Sequence, residues 1–386
     1  MLDREELTAW LRLLLTPGIG NTTARQLLTA FGLPIHIFEK SAAALQKEVS
    51  QRQALALLEI PEGLEALVET TWSWLQAAPD SHRILTLGDA HYPASLLQIE
   101  DPPVLLYAIA APEVWQTEWL AHCAEHSLAI VGSRNPTPQG VQNARQFAQA
   151  LAQSGLCIVS GLALGVDGAA HEGALAVADV APCATIAVVG TGLDRVYPRQ
   201  HHELARRIAQ RGVLLSEFAI GTPPLNANFP KRNRIIAGLA RGTLVVEAAL
   251  KSGSLITAKQ AVEQGKEVFA IPGSIHSTQA RGCHALIRQG AKLVESAQDI
   301  LEELELRPPL SATAKVRAAL VEPEEDFGSE DSALIQALGF DPTGLDALQA
   351  RTGLDTATLQ AQLMALELMG QVARLPGGLF QRLVRA

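Results

Sequence analysis

Residues 127–168 read SLAIVGSRNPTPQGVQNARQFAQALAQSGLCIVSGLALGVDG, and this stretch decides the fold. Ser127–Val131 and Leu156–Ser160 are short aliphatic runs that read as strands, and Gln139–Gln153 between them reads as a helix. Each strand feeds a glycine-bearing turn. The pattern continues outward, with strands expected at Thr185–Val189, Val213–Ser216, Thr243–Glu247 and Glu267–Ile271. Helices fit at Gly168–Ala178, Arg199–Arg211, Arg232–Ala240 and Thr257–Gln264. Continuous aliphatic strands alternating with helices predict an α/β fold, a Rossmann-like parallel sheet covered on both faces and doubly wound. The strand-to-helix turns then line up at the carboxyl edge, where such sheets bind ligands.

The flanks differ in pattern. At 386 residues the chain is expected to hold more than one domain, here divided into 1–80, 81–305, a linker over 306–331, and 332–386. In the first, Leu7, Leu11, Leu14 and Leu15 recur at helical spacing, and Ala24, Leu27 and Leu28 follow a Thr16-Pro17-Gly18-Ile19-Gly20 turn. That turn is either a plain helix break or the phosphate-approaching hairpin of a helix-hairpin-helix module. The linker is rich in proline and acids, with Pro308, Pro309, Pro323 and Glu324-Glu325-Asp326. The last unit reads as helices at Ser332–Gly339, Gly344–Thr352 and Thr356–Met369, then a hairpin within Gln371–Leu383, the order of a winged helix. Its third helix carries no base, which favours a protein-interaction or regulatory role at least as much as DNA contact.

Composition narrows the function classes. The hydrophobic content of 48% fits a folded globular protein. No apolar run approaches the about 20 residues of a membrane helix, and the amino-terminal MLDREELTAW lacks a basic signal-like region. Cys123, Cys157, Cys183 and Cys283 stand far apart, so neither a metal site nor a disulfide framework is expected, and reduced thiols in the cytoplasm are the default. The formal net charge is −9, yet Arg195 to Lys259 holds eleven Lys/Arg against three Asp/Glu. Charge segregated in this way either steers a polyanion to one face or is scattered over exposed helices.

Four segments at the predicted carboxyl edge carry the chemistry. Ile130–Pro136 offers a glycine, a hydroxyl and an arginine in Gly132-Ser133-Arg134, and is not a G-x-G-x-x-G dinucleotide fingerprint. Ser160–Asp167 places Gly161 and Gly165 between strand and helix, freeing backbone N–H groups for an anion or simply closing a tight connection. Asn226–Arg234 surrounds Phe229 with Asn228, Lys231, Arg232, Asn233 and Arg234, the mixture that suits single-stranded nucleic acid. Alternatively Phe229 is core, and Arg232 or Arg234 pairs with Glu217 or Glu247. Glu247–Thr257 contains Lys251-Ser252-Gly253-Ser254 but no Walker motif, so ATP hydrolysis is not indicated. Asp167 and His171, four apart, read either as an acid/base or metal pair or as a structural contact fixing the turn. Ser133 and Ser160 lack a triad partner, and no cofactor loop is evident.

Taken together, AIVGSRNPT, VSGLALGVDGAAHEGAL, VVGTGLDRVYPRQH, SEFAIGTPPLNANFPKRNRIIAGLA, VVEAALKSGSLITA and GKEVFAIPG resemble the DNA processing protein A (DprA/Smf) family over roughly residues 127–295. The flanking helices, SAM- or helix-hairpin-helix-like, and the winged helix match its longer members. The resemblance implies an extended Rossmann domain that binds single-stranded DNA without sequence preference, homodimerises, and loads RecA recombinase onto incoming strands in natural transformation. It implies no catalytic residue, cofactor or metal. It places Gly132, Ser133, Arg134, Asn228, Phe229, Lys231, Arg232, Asn233 and Arg234 at the DNA pocket, with Gly161, Arg199 and Lys251–Ser254 as further candidates. His284 stands where many relatives have Asn. The rival is a nucleotide-processing enzyme resembling the phosphoribohydrolases, with Glu247 as its carboxylate, though the P-G-G-x-G-T motif of that group is missing before it. A third reading is an interaction scaffold.

Overall fold

The structure, a computed structural model, describes residues 2–177, 183–306, 329–340 and 342–383. It opens with helices α1 (Arg4–Leu15), α2 (Asn21–Phe31), α3 (Pro34–Phe38), α4 (Ala42–Leu45), α5 (Gln51–Leu58) and α6 (Leu64–Ala77). Their starts follow from capping chemistry. The Asp3 carboxylate accepts the Glu6 N–H ahead of α1, and Ser50 with Gln53 closes a reciprocal box ahead of α5. The turn after α1 is tightened by the Thr16 hydroxyl, which donates to Arg12 O, and by left-handed Gly18.

The sheet follows: β1 (His82–Thr86), β2 (Leu105–Ala110), β3 (Ser127–Val131), α7 (Pro138–Gln153), β4 (Cys157–Ser160), α8 (Val166–Leu175), β5 (Thr185–Val188), α9 (His202–Arg211), β6 (Val213–Ser216), α10 (Asn228–Gly238), β7 (Gly242–Val245), α11 (Ser254–Glu263), β8 (Glu267–Ala270), α12 (Arg281–Arg288), β9 (Lys292–Leu293) and α13 (Ala297–Glu303). The spatial order is β1-β2-β6-β5-β4-β3-β7-β8-β9. From β6 through β9 every pairing is parallel, and winding reverses between β3 and β7. Both faces are buried, which explains the unbroken aliphatic runs: Leu128 and Ile130 enter one core, Ala129 and Val131 the other.

Two features differ from the sequence reading. The antiparallel edge β1–β2, paired with β6 through Tyr107↔Ser216 and Ala110↔Val213, was not anticipated, because no intervening helix marks these strands as members of the alternating series. Helix α10 begins at Asn228, not at Arg232. Pro230 stands in its first turn, where a missing N–H costs nothing, so Phe229 is presented from a helix and not from a loop.

The first helices share a core with this edge, since Trp10, Leu11, Val68 and Trp74 pack with Ile84, Leu105, Tyr107 and Ile220. The carboxyl-terminal unit comprises α14 (Ser329–Leu338), β10 (Thr343–Gly344), α15 (Leu345–Thr352), α16 (Thr356–Leu368), β11 (Val372–Leu375) and β12 (Leu379–Arg382), a winged helix around Leu334, Leu348, Leu359, Leu363 and Phe380. Most of the expected linker, residues 307–328, lies outside the described residues. Among the described residues no helix is long and apolar enough to cross a membrane. All four cysteines are buried free thiols.

Candidate nucleic-acid interface

At the carboxyl edge, where winding reverses, a cleft of about 530 Å³ opens between the ends of β3 and β7 and the start of α10. Its first wall is Gly132-Ser133-Arg134. A Cβ on Gly132 would stand 2.7 Å from Val166 Cγ2 and 2.9 Å from Glu247 O, so only glycine fits. The Ser133 N–H donates to Glu247 O (2.7 Å), and Ser133 O accepts the Val166 N–H (3.1 Å). Arg134 is left exposed, with its guanidinium carbon 5.5 Å from the centre of the Phe229 ring. Phe229 is half-buried beside Gly190, where a Cβ would stand 3.0 Å from the ring. The opposite wall is Lys251-Ser252-Gly253-Ser254, with Lys251 exposed, the two serine hydroxyls 2.7 Å apart, and the Asn233 amide donating to Gly253 O.

The floor is Arg232 over Asp167. Arg232 is 4% exposed and donates through Nη1 to Gly161 O (2.6 Å) and to Val188 O. Burial lowers its pKa to about 10, which leaves it charged at neutral pH. Asp167 accepts the N–H groups of Gly161 (3.1 Å) and Ala163 (3.4 Å), and burial raises its pKa against the pull of Arg232. Gly161 is thus a partner beneath the floor and not a wall residue.

The structure therefore joins Gly132, Ser133, Arg134, Phe229, Arg232, Asn233 and Lys251–Ser254 in one cleft, and it separates the rest of the expected set. Lys231 emerges on the other side of α10, lining a cavity against α1 and Tyr107, with Nζ 3.8 Å from Glu217. Arg234 is buried and forks onto both Glu217 oxygens (2.9 and 2.6 Å), with further contact to Asp101, so it is a structural ion pair. Asn228 donates to Gly190 O (3.1 Å), fastening α10 to the end of β5. Arg199 is exposed in the turn before α9, beyond the cleft lining.

Comparison with known proteins bears on what this cleft serves. The family model described as DNA recombination-mediator protein A matches residues 83–305, more than half of the chain. The chain belongs to that family. A second match, the DprA winged helix domain, covers residues 314–378. Protein Smf of Escherichia coli (strain K12) is 38% identical over 390 residues, spanning 100% of this chain and 97% of the relative. DNA processing protein DprA of Streptococcus pneumoniae (strain R6) is 46% identical over 217 residues, 56% of this chain and 72% of the relative. The X-ray structure of DNA processing protein A from Streptococcus pneumoniae superposes with a TM-score of 0.63 at 35% identity, covering 80% of this chain and 99% of that one.

Within the DNA recombination-mediator protein A scaffold, two carboxylates that invite an enzymatic reading do other work. Glu247 accepts the Thr137 N–H (2.9 Å) and hydroxyl (2.6 Å) at the start of α7, lies where a Cβ on Gly140 would stand 2.5 Å away, and has its pKa raised by burial. It lies outside the cleft lining. Asp167 and His171 do not act as a pair: Asp167 holds its own turn, whereas His171 meets the Thr185 hydroxyl at 2.7 Å and burial lowers its pKa to about 3. His284 approaches Gly273 O at 2.9 Å, fixing the loop before α12. Gln279 was missed by the sequence reading: it lines the cleft and donates to Asn135 O (2.9 Å) across a span of 144 residues, which no local pattern announces.

Proposed function

We propose that the chain is a cytosolic, non-enzymatic recombination mediator whose cleft holds single-stranded DNA without sequence preference. The observation that carries this reading is Phe229 flanked by exposed Arg134 and Lys251 in a cleft with a buried cationic floor. A ring offers a face to any base, and cations on either side follow the phosphates. Loading of RecA onto the bound strand and homodimerisation belong to the same proposal. The β9 edge, which pairs with no further strand among the described residues and leaves Leu293 half exposed, offers a surface for self-association. In the winged helix, α16 is free of Lys and Arg and exposes Met364 and Leu368, which suits a protein contact.

The test is fluorescence anisotropy with labelled single- and double-stranded oligonucleotides across a salt series. The two exposed cations of the cleft, Arg134 and Lys251, give a log–log slope of about −1.4 for single strands. Duplex is expected to bind more weakly. Absence of single-strand binding at low salt defeats the proposal.

A further inference from the structure

Phe229 has an aromatic neighbour outside the cleft lining. The Tyr197 ring lies 5.6 Å from it, centroid to centroid, at an interplanar angle of 40°. Tyr197 is 46% exposed and belongs to none of the buried clusters, so its ring does little for the core. The connection that carries it, between β5 and α9, is fixed at intervals. The Gly192 N–H donates to Thr222 O (3.1 Å), and the His201 ring meets Leu162 O (2.9 Å). Phe229 is fixed as well, by the first turn of α10 and by Gly190 behind it. Two fixed and partly solvent-facing rings lie side by side, with Arg134 over Phe229 and exposed Arg199 two residues beyond Tyr197 along the chain.

We propose that Tyr197 is a second base-stacking platform, extending the track of the strand from the cleft along the β5–α9 connection towards Arg199. This rests on the single-strand reading above. Bases within a duplex are about 3.4 Å apart along each strand. Stacking one base on each ring requires two successive bases released from that stack, which a single strand supplies and a paired duplex does not.

The experiment compares the full chain with Tyr197→Ala and Tyr197→Phe, using a labelled oligothymidine for affinity and its 5-iododeoxyuridine counterpart for photocrosslinking and peptide mapping. Loss of one base–ring stack lowers affinity about five- to 150-fold. That loss is expected for Tyr197→Ala, with Tyr197→Phe close to wild type and crosslinks on both Tyr197 and Phe229. Three results overturn the proposal: wild type binding while Tyr197→Ala binds equally well, Tyr197→Phe losing as much as Tyr197→Ala, or crosslinks confined to Phe229. Failure of wild type to bind any single strand instead overturns the reading on which it rests.

Discussion

Two arginines of the cleft are expected to fail in opposite ways. Arg232 is buried, donates to two buried carbonyls, and faces buried Asp167. Replacing it with leucine strands those carbonyls and leaves a buried carboxylate without its cation. Removing one member of such a buried charge pair costs about 3–5 kcal/mol. In a domain of this size each kcal/mol moves Tm by about 2–4 °C, so Arg232→Leu is expected to melt about 6–20 °C lower. Arg134 is exposed, stands 5.5 Å from the Phe229 ring and feels both the attraction of Asp167 and the repulsion of Arg232, so Arg134→Ala is expected to cost less than about 0.5 kcal/mol of stability. It is expected to weaken oligonucleotide binding across all sequences alike and to reduce the salt slope by about 0.7. Circular-dichroism melts and anisotropy titrations on both variants check this. The reasoning is refuted if Arg232→Leu melts with wild type, or if Arg134→Ala loses stability and keeps its affinity.

The two lysines of the basic cluster are expected to separate similarly. Lys251→Ala, in the cleft wall, is expected to weaken binding more than Lys231→Ala, which lies across α10 beside Glu217, and titrations at one salt concentration decide it. Acid sensitivity has a named source in His171, whose burial lowers its pKa from 6.5 to about 3. A base held neutral in the fold gives stability that is full above its unfolded pKa and is lost as the pH falls below it. Between pH 6.5 and 5 the loss is about 2 kcal/mol. Denaturant titrations at both pH values should show wild type losing that much more than His171→Gln.

The parallel core was legible because burial on both faces leaves the middles of the strands from β3 to β8 almost wholly apolar, with polar residues such as Ser127, Ser160, Ser216 and Glu267 confined to strand ends. The edge β1–β2 was not, since antiparallel strands joined through short turns and 3-10 helices lack the alternation with α-helices. Cleft residues placed by strand ends, such as Ser133 and Lys251, could be located from their turns. The run Lys231-Arg232-Asn233-Arg234 left open which residues face the cleft and which pair with Glu217, for a geometric reason. Consecutive residues on a helix point roughly 100° apart. One run of charge therefore sends Arg232 into the floor and turns both Lys231 and Arg234, three residues apart on another face, towards Glu217. Its composition was readable; its division between the cleft and the Glu217 side depends on which elements surround α10.

The backbone bonds that fasten Ser133 to Glu247 and to Val166 fix the tip of β3 before any ligand arrives. On the proposed single-strand reading, the backbone of this turn surrenders little motional freedom on association, and the ordering falls on the exposed Arg134 and Lys251 side chains and on the nucleic acid. A limp polypyrimidine and a self-stacked polypurine would meet the same preset turn, so any preference between them would measure what each polymer gives up of its own conformation rather than how its base edges are read.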